Sequence, residues 1–155
     1  MIRLVLMDEA EFAQYQELDI PRYADENVKV GYWHPDKALE KSRQEHSRLL
    51  PDGLKTKNHL FFKIVDEYLT RVGTLWLSTD FDAAQPTGFI YDLIIEEAFQ
   101  RKGFGMQAMT ALEGKARELG LKRLALHVFA HNLPARKLYQ DLGYQDKSMN
   151  MSKEL

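Results

Sequence analysis

The chain has 155 residues, 45% hydrophobic and 28% charged, a balance expected of one soluble domain, residues 1–155, with a real core. It holds no cysteine, which removes disulfides, thiolate nucleophiles and cysteine-ligated metal centres. No apolar run approaches the roughly 20 residues that span a bilayer and no signal-peptide pattern opens the chain, so a cytoplasmic protein without a membrane partner is expected.

The formal net charge of -2 hides a division. Residues 1–99 carry 11 Lys and Arg against 18 Asp and Glu, whereas residues 100–155 carry 10 against 5. The second part suits a polyanionic ligand and the first a cationic one.

Ile2 to Leu6 reads as a short strand, and Asp8-Glu9-Ala10-Glu11 as a capping box that starts a helix. Phe12, Tyr15 and Leu18 follow helical spacing up to Pro21, which should interrupt the helix before a second segment runs toward Val28. Pro35 suits the first turn of a charged helix whose apolar anchors are Ala38, Leu39, Leu49 and Leu50 and which stops at Pro51-Asp52-Gly53. The period then changes: His59 to Val65 and Thr70 to Ser78 read as an antiparallel hairpin, and Phe89 to Ile95 as a further strand. Ala108, Leu112, Ala116 and Leu119 form a helix stripe ended by Gly120, and Leu124 to Ala130 is the next strand, joined by a crossover to the one before it. Asn132 caps a last helix bearing Ala135, Leu138, Tyr139 and Leu142, and Tyr144 to Leu155 offers one or two final strands. The order is βααβββαβαβ, an α+β or mixed α/β sheet.

Between strand and helix lies Gln100-Arg101-Lys102-Gly103-Phe104-Gly105. Its glycines allow close approach of a ligand, and the N–H groups of the helix start behind them have no intrahelical partner. A phosphate suits such a turn, with Arg101 and Lys102 at its mouth. Gly103, Gly105 and Ala108 also fit a relaxed dinucleotide fingerprint. Seven residues separate Ile95 from Gly103, however, and no carboxylate ends the next strand, which argues against that fold. No Gly-Lys-Ser or Gly-Lys-Thr is present for a Walker A loop.

This turn resembles the signature of the GNAT superfamily, the Gcn5-related N-acetyltransferases: Arg or Gln, two residues, Gly, one residue, then Gly or Ala. Asn132, Ala135, Arg136, Tyr139, Gly143 and Tyr144 are similar to the family's later pattern, so the resemblance covers residues 89–144. It implies a central mixed, splayed sheet flanked by helices, and an enzyme that moves an acetyl group directly from acetyl-CoA to a primary amine on a small molecule or peptide. Backbone amides of Arg101, Lys102, Gly103, Gly105 and Met106 would cradle the coenzyme A pyrophosphate, in a binding turn that starts at Gln100. Leu93 and Ile95 would pair with the pantetheine arm, Asn132 would touch it, and Tyr139 would act as general acid. Similar proteins also include homodimers.

Read without the resemblance, Tyr139 is a core residue on an apolar helix face. A base is needed to take a proton from the amine, and Asp92, inside an apolar strand, is the first candidate, with Glu96 at the strand end the second. The five histidines form no metal set, and His127 reads as a satisfied sheet residue. No basic stripe with interleaved aromatics calls for nucleic acid. The competing class is a non-catalytic acyl-CoA-binding regulatory domain, against which the presence of Tyr139 argues.

Overall fold

The computed structural model describes residues 1–81 and 83–155. In chain order it contains β1 (Arg3–Leu6), α1 (Glu9–Lys29), α2 (Pro35–Leu49), β2 (His59–Val65), β3 (Arg71–Phe81), β4 (Thr87–Ile95), α3 (Phe104–Glu118), β5 (Arg123–Leu126) and α4 (Leu133–Asp141). The five strands form one sheet in the order β1-β2-β3-β4-β5. The first three pairings are antiparallel and β4 with β5 is parallel, as the α3 crossover requires.

Each face of the sheet has its own core. Phe62, Ile64, Leu75, Leu77 and Ile90 meet Ala108, Met109 and Leu112 of α3, while Phe61 and Trp76 meet Phe12 and Tyr15 of α1. The alternation of Phe61 with Phe62, and of Leu75 with Trp76, sends successive side chains to opposite cores. The capping box forms as its spacing predicts: Asp8 Oδ1 accepts from Glu11 N at 2.8 Å and Glu11 Oε2 from Asp8 N at 2.9 Å.

Three expectations change. Pro21 does not divide the first helix: α1 runs through it for 21 residues. Buried residues lie on both sides of the proline, Phe12, Tyr15 and Asp19 before it and Ala24 and Asn27 after it, so tertiary packing holds the helix across the missing N–H. The strand expected over Leu124 to Ala130 ends at Leu126. Its neighbour explains this: Trp76 pairs with Asp92 but Leu77 with Ile90, so Tyr91 is an extra residue in β4. A bulge of this kind bends its strand, and beyond Ile90 and Leu126 the two parallel strands part. The final strand does not form either: residues 145–155 pair with no strand among the described residues and stay exposed.

Gly73 of β3 sits where β4 ends. A Cβ there would lie 2.1 Å from the carbonyl oxygen of Ile94. Gly73→Ala should therefore destabilise the fold by about 3 kcal/mol or more, the upper end of what overpacking costs, because the obstacle is backbone; urea unfolding with an unchanged midpoint would contradict this.

Candidate active site

Where β4 and β5 part, a cavity of about 380 Å³ opens between the sheet, α1, α2 and α4. Asp92, Leu93, Asn132 and Tyr139 line it, together with Asp19, Arg22 and His46. Without the bulge, Ile90 and Asp92 would share a face. With it, Ile90 joins the α3 core while Asp92, opposite Trp76, faces the two N-terminal helices.

Asp92 is embedded in a buried network. Its Oδ2 accepts from the Tyr15 hydroxyl at 2.8 Å and from Arg22 Nη2 at 2.9 Å, and the same Arg22 nitrogen donates to Asp19 Oδ1 at 2.7 Å. Asp19 Oδ2 lies 2.8 Å from His46 Nε2, while His46 Nδ1 lies 2.9 Å from the carbonyl of Ser42. That carbonyl can only accept, so Nδ1 carries a proton. The second ring nitrogen faces a carboxylate that stays ionised: desolvation pushes Asp19 up, but the hydrogen bond with His46 and the charge of Arg22 hold it at about 2. Both contacts favour the imidazolium, and His46 is raised above its ordinary value because the Asp19 bond outweighs its own desolvation.

Asp92 moves the other way. Burial and the Asp19 charge push it well above the ordinary 3.8, against the pull of Arg22. Its Oδ1 makes no hydrogen bond within the described protein, yet is not sealed off from solvent, which leaves it open to the cavity. Tyr139 is raised to about 12, first by burial and then by Asp92, so at neutral pH it keeps the proton it could give away.

The glycine turn follows β4. The main-chain N–H groups from Arg101 to Met106 find no acceptor among the described residues, the first helical donor satisfied being Gln107 N on Gly103 O at 3.2 Å. Arg101 and Gly103 both take positive φ, 61° and 82°, which turns this run of donors outward. Gln100 closes the turn through a side-chain bond to Ile95 O at 2.9 Å. Gly105 has a packing reason: a Cβ there would stand 3.2 Å from Leu138 Cδ2 of α4. Asn132 Oδ1 caps α4 by accepting from Ala135 N at 3.3 Å.

The cavity therefore brings together Asp92, Leu93, Asn132 and Tyr139, while Ile95 and residues 100–106 continue from the same strand. Glu96 stands apart, in an exposed ion pair with Arg71 at 2.8 Å. His127 is exposed beyond the end of β5, edge-on to Phe129 at 4.9 Å, and is not the satisfied sheet residue that alternation suggests. Sequence reading missed Asp19, Arg22 and His46. The available signal was spacing: Asp19 lies four residues after Tyr15 on the buried side of α1, and Ala38, Ser42 and His46 recur every four residues on α2.

A parted parallel strand pair, followed by a turn of free N–H groups, is the arrangement that the GNAT resemblance implies. The chain belongs to that family, matching the Acetyltransferase (GNAT) family over residues 15–144. It is an N-acetyltransferase, 40% identical to the uncharacterised N-acetyltransferase YdgE of Bacillus subtilis strain 168 over 96% of this chain and 95% of that one. It is likewise 40% identical to the uncharacterised YycN of the same organism, over 99% of both chains. The crystal structure of YycN superposes with a TM-score of 0.96 over 100% of this chain and 99% of that one. At 16% identity, AAC(6')-Iy in complex with the bisubstrate analogue CoA-S-monomethyl-acetylneamine shares the fold alone, with a TM-score of 0.61 over 100% of this chain and 98% of that one.

His46 and Asp19 have side chains only 5% and 8% exposed, so His46→Ala would leave the buried carboxylate with Arg22 as its remaining cationic partner and should cost up to about 3 kcal/mol. The pH dependence follows from the two shifts. The lowered Asp19 contributes fully above its ordinary 3.8 and loses its contribution as pH falls toward about 2. The raised His46 contributes fully below its ordinary 6.5 and loses its contribution as pH climbs through its folded value. Urea titrations should show the largest gap between wild type and His46→Ala from about pH 4 to 6.5, narrowing on both sides; a gap independent of pH would exclude the pair.

Proposed function

We propose that the chain transfers the acetyl group of acetyl-CoA directly to a primary amine, with Asp92 as proton acceptor and Tyr139 as proton donor. The observation that carries this reading is that one carboxyl pushed up and one phenol held neutral line the same cavity, where the sheet opens. A raised carboxyl is the stronger base once ionised, and a phenol that stays protonated can serve as the acid. The free N–H groups of residues 101–106 fit the coenzyme A pyrophosphate, with Arg101 and Lys102 beside them. On this reading the pantetheine arm runs from there past Ile95, Leu93 and Asn132 to Tyr139.

Chemically, the amine must lose a proton as its nitrogen bonds to the thioester carbonyl carbon. Asp92 Oδ1 receives that proton, directly or through a water, and the carbon–sulfur bond breaks as the tetrahedral centre collapses. Tyr139 gives its proton to the departing thiolate. Arg22 and Tyr15 fix the orientation of Asp92 by holding Oδ2. With no cysteine in the chain, no thioester forms on a protein thiol. A non-catalytic acyl-CoA-binding domain would have no use for this paired placement.

The acceptor reading changes from that suggested by the charge division. Carboxylates in the cavity wall have cationic neighbours: Asp19 and Asp92 share Arg22, Glu45 pairs with Arg48 at 2.9 Å, and Glu26 pairs with Lys29 at 3.5 Å. The wall is close to neutral and carries Tyr23, Trp76, Phe89, Tyr91 and Phe129. An amine with an apolar or aromatic body suits it better than a polycation.

The deciding experiment is a screen of primary amines that follows CoA release, with Tyr139→Phe and Asp92→Asn beside wild type. Tyr139→Phe should lower turnover about 10²- to 10⁴-fold while acetyl-CoA affinity, measured calorimetrically, holds. Since only ionised Asp92 accepts a proton, the wild-type rate should rise with pH through a limb above 3.8, and Asp92→Asn should lack that limb. An unchanged profile in Asp92→Asn would remove it as the base.

A further inference from the structure

Arg22 connects Asp92 to a second carboxylate and, through it, to a histidine. One nitrogen, Arg22 Nη2, donates to Asp92 Oδ2 at 2.9 Å and to Asp19 Oδ1 at 2.7 Å, and the other oxygen of Asp19 meets His46 Nε2 at 2.8 Å. The line ends on backbone, where His46 Nδ1 donates to Ser42 O at 2.9 Å. Burial deepens from Asp92, 16% exposed, through Asp19 to His46, 5% exposed, so the pair farthest from the cavity is the least screened by solvent. Among the described residues no buried side-chain polar atom lacks a partner, which fixes the whole line in one arrangement.

Tying α1 to α2 needs less than this. Ser42 already does so with a neutral hydroxyl, donating to Ile20 O at 2.7 Å, and a buried ion pair is often worth no more to stability than apolar residues of the same volume. What the charged pair does, and an apolar one could not, is act on Arg22. Two carboxylates share one guanidinium nitrogen, and a cation behind Asp19 keeps that carboxylate in the contest as an anion. The phenols beside them bring no second cation: Tyr15 donates to Asp92 Oδ2 at 2.8 Å, and Tyr139 lines the same cavity. Of the other charged groups on the wall, Glu26 pairs with Lys29 and Glu45 with Arg48, while His127 stands on the far side, beyond β5. Among the described residues, Asp19 has ion pairs with Arg22 and His46 alone.

We propose that Asp19 and His46 are positioning residues of the acetyl transfer: acting through Arg22, they set how firmly the carboxyl of Asp92 holds a proton, and take part in no bond that forms or breaks. The inference rests on Asp92 as the base and extends that reading to two side chains on α1 and α2. As an anion, Asp19 draws Arg22 away from Asp92. With Asp19 neutral, the guanidinium would serve Asp92 alone and its carboxyl would ionise more readily. His46 acts one step further back, by keeping Asp19 an anion over the pH range in which Asp92 titrates.

Carbon-13 at aspartate Cγ reports each carboxyl separately by NMR, and Asp92→Asn identifies the resonance of interest. The Asp92 midpoint should lie above 3.8 in wild type and fall by about one pH unit or more in Asp19→Asn. His46→Gln, whose amide can still donate to Asp19 but carries no charge, should lower it too, by less. Rates measured against pH with the best amine from the screen should show the acid limb moving with the NMR midpoint; the ionisation of the amine itself is common to all the proteins. A midpoint unchanged in a folded variant strikes that residue from the proposal, even where urea stability falls, since stability is all that a merely structural role would alter. A midpoint that moves while the limb stays would instead remove Asp92 as the base, so the two failures are distinct. Should neither variant fold, nitrogen-15 spectra of wild type decide: His46 should keep both ring protons throughout the titration of Asp92, and a neutral ring there would overturn the proposal.

Discussion

The geometry of the site depends on one extra residue. Tyr91 shifts the register between β3 and β4, so that Trp76 faces Asp92 while Leu77 faces Ile90. Two consequences follow from the same shift. The alternation of β4 is reset, which puts Ile90 in one core and Asp92 in the other. The strand also bends away from β5, whose pairing ends at Leu126, and this opens the cavity that Asp92 lines. Tyr91 itself stacks on Trp76 with ring centroids 4.5 Å apart, so the bulge is held by aromatic packing as well as by the ladder.

Placing Asp92 there demands a charge partner, and the N-terminal helices supply one. Arg22 comes from the turn of α1 that follows Pro21, and Asp19 from the turn before it, so a helix broken at the proline would not hold both groups at hydrogen-bond distance. Ser42 adds a tie between the helices by donating to Ile20 O at 2.7 Å, next to the proline. Fold and site therefore share these contacts, and the network that tunes the carboxyl also docks α1 on α2.

Local rules made much of this legible. The capping box at Asp8, the glycine turn at residues 100–105, the Asn132 cap and the strands of the hairpin each rest on interactions within a few residues, and sequence spacing reports those. Pro21 and the end of β5 were misread because distant packing decides them: the buried residues on both sides of Pro21, and the bulge on a neighbouring strand. His46 escaped notice for a related reason. Sorting α2 by hydrophobicity alone selected Leu39, which is 40% exposed, while the helix buries Ser42 and His46. A polar residue on a buried stripe signals a partner elsewhere, but the sequence does not name the partner.

The buried charges also explain how a carboxylate beside an arginine can keep a high proton affinity. A cation at 2.9 Å would by itself hold Asp92 ionised, since opposite charges this close in a poorly solvated setting interact strongly. Arg22 is not free to do so, because Asp19 lies at 2.7 Å from the same nitrogen and is held as an anion by the His46 imidazolium. The two carboxylates compete for one guanidinium, and the one with the extra cation stays charged. Asp19 takes that part and Asp92 is left with desolvation largely uncompensated. On this argument His46 affects Asp92 without touching it: stabilising the Asp19 anion strengthens the rival for Arg22 and so raises the proton affinity of the carboxyl that faces the cavity.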